Sequence, residues 1–232
     1  MTLEEIEEFL LTDGCKEYIT ELVAEVDGRR WTINSFRPED NQGNIAAFQT
    51  TDDDRILILF DTDRITPQNL ENILAHEATH AYLRYVKGYF SPDSSHLDPL
   101  EREAHNCIGT MLEDIVIDKM MTEYGFILDR SIYFNTIRSY TIPSFLEGKN
   151  PFAHKPEAFA VYRYVLANEM YYEVIDIHGK SDCKKCMQLI EEKLPAIASK
   201  GRACLRSIQN GDLFTHEGYD KIYKEVEAIL EL

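Results

Sequence analysis

Ile73-Leu74-Ala75-His76-Glu77-Ala78-Thr79-His80-Ala81-Tyr82-Leu83 lies in a run that reads as helix. On a helix, residues four apart stand one turn above each other on the same face. His76 and His80 can therefore hold one metal ion between them. Glu77 is turned about 100° from His76 around the helix axis. Its carboxylate then lies beside the metal, where it can take a proton from a bound water. The surrounding residues frame this stretch as an element of a folded domain. Leu70, Ile73, Leu74, Ala78, Ala81 and Tyr85 supply an apolar face. Thr66 is placed to cap the helix, with Pro67 at its first position. The strand-like run Arg55-Ile56-Leu57-Ile58-Leu59-Phe60 precedes it.

Outward from that helix, the pattern predicts elements in a definite order. Residues 2 to 24 read as an amphipathic helix, with a break at Asp13-Gly14. Three short strands follow, at 30–36, 45–50 and 55–60. Asn41-Gln42-Gly43 and Asp52-Asp53-Asp54 mark the turns between them. The motif helix covers 67–86, 88–96 forms a loop, and 99–123 forms a second long helix ending before Gly125. Beyond 125 the signals are helical. Ile142-Pro143 interrupts the first stretch, 156–174 is aromatic-rich, 183–198 is interrupted or kinked at Pro195, and 219–230 is the last helix. These signals predict an α+β fold: an N-terminal helix, a small mixed sheet, the motif helix and a ligand-bearing helix over 1–125. A helical C-terminal part, 126–232, packs on that core.

Length and charge narrow the function. The chain has 232 residues, enough for one domain with a helical extension. Its net charge is −17. Such a surface repels phosphates, which argues against nucleic acid and against anionic membranes as partners. No run approaches the roughly 18 apolar residues of a membrane span. The N-terminus, Met1-Thr2-Leu3-Glu4-Glu5, is acidic where a secretory segment is basic and then apolar. Five Cys is an odd number, irregularly spaced, and reads as reduced thiols. A cytoplasmic protein is the expectation.

A catalytic zinc usually takes three protein ligands and keeps a position for water. The third ligand is sought on the helix 99–123. Asp114 and Asp118 stand four apart within an apolar stretch, where carboxylates are costly unless paired or metal-bound. Asp114 is the first choice, with Asp118 orienting a ligating His. Glu113 is the rival, its side chain turned about 100° away. Glu101 comes third, because acidic residues in a first turn commonly serve the helix dipole. Cys183-Lys184-Lys185-Cys186 has metal or redox spacing, but no second such pair exists, and the two read as helix-start thiols. His105, Tyr133, Tyr140 and His154 are candidates for stabilising an oxyanion. Phe159, Tyr162, Tyr164, Tyr171 and Tyr172 read as packing aromatics.

His76-Glu77-x-x-His80 and the element order over 1–125 resemble the minimal core of the zincin metallopeptidases, in a gluzincin-like form. The segment Asp114 to Asp118 is similar to that of the metallopeptidase-like domains found beside von Willebrand factor A modules. Leu83 and Val86 stand where another zincin class carries Gly and His, which excludes that class. The resemblance implies a zinc-dependent peptidase acting on a peptide or protein substrate. Zn2+ would be held by His76, His80 and Asp114, with Glu77 as general base. It also implies that the strand 55–60, as the edge strand, pairs with the substrate backbone. The alternatives are a catalytically inactive, zincin-shaped binding or regulatory protein, and a non-peptidase zinc hydrolase.

Overall fold

The computed structural model describes residues 12–25, 31–36, 46–50, 56–61, 67–89, 96–173 and 177–232. Helix dominates them. α1 is Asp13–Glu25, α2 Pro67–Tyr85, α3 Pro99–Tyr124 and α4 Ser131–Thr136. A π-helical turn, Ile137–Thr141, leads into α5, Ile142–Leu146. α6 is Glu157–Glu173, α7 Ile177–Lys193, α8 Pro195–Asn210 and α9 His216–Leu230. Strands β1 (Trp31–Phe36), β2 (Ala46–Thr50) and β3 (Ile56–Asp61) form one short sheet. The α+β expectation is therefore corrected: among the described residues ten helical segments outweigh three strands of five or six residues, and these residues are predominantly helical. Thr66, the two strand-connecting turns, the first part of the N-terminal helix and most of the loop at 88–96 lie outside the described residues.

The strand order is β1-β3-β2. β3 runs parallel to β1, Trp31 opposite Ile56, and antiparallel to β2, Thr50 opposite Ile56. Both hydrogen-bonding edges of β3 are thus occupied. This overturns the expectation that the strand before the motif helix is an edge strand open to a substrate backbone. Hydrogen-bond pairing is non-local, and alternation along one strand does not reveal which neighbours flank it.

The described structure divides into two compact units. One comprises 1–89 with 116–129, the other 90–115 with 130–232. α3 contributes residues to both units.

In the first unit, α2 packs on α1 and against β2 and β3. Leu74, Ala75, Ala78, Ala81, Tyr82 and Leu83 are buried, so α2 is covered on most of its circumference. The Tyr18 and Thr79 hydroxyls hydrogen-bond at 2.8 Å in the interior, fixing α1 to α2. Tyr18 also meets Tyr124 and Phe126, with ring centroids 4.8 and 5.2 Å away. The Asp129 amide donates to Asn72 at 3.1 Å, tying the segment after α3 to α2.

In the second unit, α6 packs on α7 and α8, and α8 on α9. Val161, Val165, Ile190, Cys204, Tyr219, Ile222 and Val226 form its interior. α6 and α8 approach so closely that a Cβ on Gly201 would run into the Tyr164 ring. The helical run over 183–198 is interrupted at Pro195, as expected: α7 ends at Lys193, Leu194 is non-helical, and Pro195 opens α8 in its first turn, where its missing N–H costs nothing. Pro143 occupies the same kind of position in α5, and the backbone stays helical through Ile142. The expected interruption there takes the form of the π-helical turn 137–141 that directly precedes α5. Thr215 caps α9, its hydroxyl accepting from the Gly218 amide at 3.2 Å.

Candidate metal centre

α2 carries three residues of interest on two faces. His76 and His80 are half-buried, whereas Glu77 is only 9 % exposed. The two imidazole rings lie edge to face, centroids 4.9 Å apart. This is the i, i+4 stacking expected on a helix. Thr79 is fully buried and donates to the Ala75 carbonyl at 2.7 Å. With the Tyr18 contact, that anchors the turn from which both histidines project.

α3 begins with a capping box. Asp98 accepts hydrogen bonds from the Leu100 and Glu101 amides at 2.8 and 3.0 Å. The Glu101 carboxylate accepts from the Asp98 amide at 3.3 Å. Glu101 is exposed and serves the helix start. Four turns on, Asp114 is 8 % exposed and Asp118 5 %. Glu113 is half-buried; burial first, then the Glu227 charge and the Glu113 charge, push the pKa of the Tyr223 phenol on α9 above its ordinary value.

One ligand atom each from His76, His80 and Asp114 lie within 4.8 Å of one another. Glu101, Glu113 and Asp118 stand outside this group. Ligands at about 2.0–2.2 Å from a tetrahedral zinc stand about 3.3–3.5 Å apart. Two imidazoles and one carboxylate suit zinc, and three ligands leave a position for water. The donor set therefore fits the metal that the motif implies.

Asp114 has a partner for which the sequence offers no local signal. The Tyr162 hydroxyl, on α6, donates to Asp114 Oδ2 at 2.9 Å. Burial, and then the Asp114 charge, push the Tyr162 phenol well above its ordinary value, so it stays a donor. In the sequence Tyr162 is one of several aromatics on α6. Nothing local links it to a carboxylate 48 residues earlier.

Three of the oxyanion candidates hydrogen-bond to other partners. His105 Nδ1 shares a hydrogen bond of 3.1 Å with Tyr223 and lies 3.7 Å from Glu227. Tyr133 donates to the Arg163 carbonyl at 3.1 Å, and Tyr140 to the Pro151 carbonyl at 3.4 Å. His154 is exposed. Cys183 and Cys186 lie within α7, not at its start, and are 0 % and 1 % exposed. Burial raises the Cys183 thiol to about 12 and the Cys186 thiol to about 11. At pH 8 the thiolate fraction is on the order of one in a thousand or less. Neither thiol should react with a disulfide reagent in the folded protein, and both should react on unfolding. Rapid labelling of the native protein at either site would contradict this.

Among the described residues, no helix is long and apolar enough to cross a membrane. No family model, curated protein or solved structure matches the chain.

Proposed function

We propose that the chain is a zinc-dependent hydrolase acting on peptide bonds. The observation that supports this most is the grouping of His76, His80 and Asp114 beside a buried Glu77. A solvated helix would have no reason to gather two imidazoles and a buried aspartate at one point. Aspartate buried in apolar surroundings costs free energy unless something compensates it. A dication, together with the Tyr162 hydroxyl, is a compensation of the right sign.

His76, His80 and Asp114 would hold the metal. Bound there, zinc would supply Lewis acidity and would make a water more acidic. Glu77 would accept a proton from the attacking water on its carboxylate and return it to the leaving amine nitrogen. Its burial excludes bulk water, so the proton stays with the reacting groups. Thr79 and Tyr18 keep the helical turn fixed, which holds Glu77 at a constant distance from the ligand face.

The choice of peptide as substrate rests on His-Glu-x-x-His itself and its resemblance to the zinc peptidases. Since β3 is central, a substrate strand would add to β1 or β2, the outer strands of the sheet. The test is hydrolysis of a mixed peptide library by zinc-loaded protein. The expected result is new N-termini that vanish with chelator and return on adding zinc. Cleavage that persists in excess chelator would overturn the proposal.

A further inference from the structure

The contact between Tyr162 and Asp114 has a direction. A phenol can donate only one proton, and it is aimed at Oδ2, at 2.9 Å. Asp114 is thereby held by one oxygen from α6. We infer that Tyr162 is a positioning residue that makes Asp114 a one-oxygen ligand, leaving Oδ1 for the metal. This rests on the zinc reading above.

The chemistry of the contact supports a role beyond packing. A carboxylate that uses both oxygens on a metal occupies two positions, and the position for water is then crowded. A hydrogen bond to one oxygen lowers its ability to bind metal and fixes the rotation of the carboxylate about Cβ–Cγ. Partners of this kind orient the ligand and tune the metal. Tyr162 is itself well fixed. Its ring lies 6.3 Å from that of Phe159, centroid to centroid, at a steep angle. The next residue, Arg163, lies over the Tyr133 ring at 4.3 Å, and the Arg163 carbonyl accepts from Tyr133. The backbone that carries Tyr162 is therefore tied to α4 by two contacts.

The test uses the whole chain and zinc alone, titrated against a chromophoric chelator of known affinity. Tyr162→Phe removes one hydroxyl and keeps the ring. It should weaken zinc binding about 10- to 100-fold. The metal-free protein should melt somewhat lower, since a buried carboxylate loses a donor. A purely structural hydroxyl would lower the melting temperature and leave the affinity unchanged. In the double variant Tyr162→Phe, Asp114→Asn, the two losses should not add, since the hydroxyl acts through the carboxylate. If the wild-type protein takes up no zinc, the metal reading fails, and this inference with it. If the wild-type binds zinc and Tyr162→Phe binds within twofold of it, only the inference fails. A crystal structure of the zinc-loaded wild-type protein gives a check that needs no variant. Zinc on Oδ1, with Tyr162 on Oδ2, is expected; zinc on Oδ2, or on both oxygens, would overturn the inference.

Discussion

Glu77→Gln is expected to leave zinc binding intact and to lower kcat/KM for a cleaved peptide about a thousandfold. The size follows from the role. General base catalysis contributes about 10²- to 10⁴-fold, and glutamine cannot accept the proton. The substitution is nearly isosteric, and Glu77 is 9 % exposed, so its volume matters and glutamine preserves it. Glu77 lies outside the group of ligand atoms, so the metal should stay. The experiment is metal analysis, melting temperature and peptide turnover on one preparation. Loss of activity with zinc retained separates the base from the ligands. Full activity with zinc retained would show that another group takes the proton. Activity lost together with zinc would place Glu77 among the ligands.

The second large effect is on metal affinity. Asp114→Ala should weaken zinc binding by more than about 100-fold, beyond what changes in a ligand's own partners cause. Glu113→Ala should change it by less than about twofold, the effect of a surface charge at a distance. The contrast is sharp because the two residues are adjacent on one helix. Their side chains point about 100° apart, so only one can face the histidines. The group formed with His76 and His80 includes Asp114 and leaves Glu113 outside. Removing Asp114 also deprives the Tyr162 hydroxyl of its acceptor. Part of the stability loss in this variant will therefore belong to Tyr162, and the Glu113 variant controls for surface effects alone. Equal affinities in the two variants would remove Asp114 from the ligand set.

Local features of the sequence transfer well to the structure. The strands at 31–36, 46–50 and 56–61 lie within a residue of those read from alternation and turn residues. α2 and α3 end within one residue of the expected limits, because Pro67 and Pro99 mark their starts. His76 and His80 share a face for the reason that helical spacing demands.

What failed was non-local or depended on context. The pattern of 55–60 identifies a strand but not its two neighbours, and β3 is central. Pro143 reads as a break, but the backbone stays helical from the π-helical turn 137–141 into α5; at Pro195, where α7 gives way to α8, the expected interruption is present. Cys183 and Cys186 fall inside α7 because the helix begins earlier, at Ile177, than the apolar pattern alone indicates. The sheet took too much weight in the expected fold, since three short strands stand out in sequence while helices supply most of the structure. Tyr162 is the clearest case. A phenol chosen by a carboxylate on another helix leaves no mark on the residues around it.

The central claim is that His76 and His80 bind a metal. Zinc content of the purified protein, beside that of a His76→Ala, His80→Ala double variant, tests it most directly. The account predicts about one zinc per chain in the wild-type protein and none in the variant, with both proteins folded. No zinc in the wild-type protein after addition and dialysis, or equal zinc in both, would contradict it.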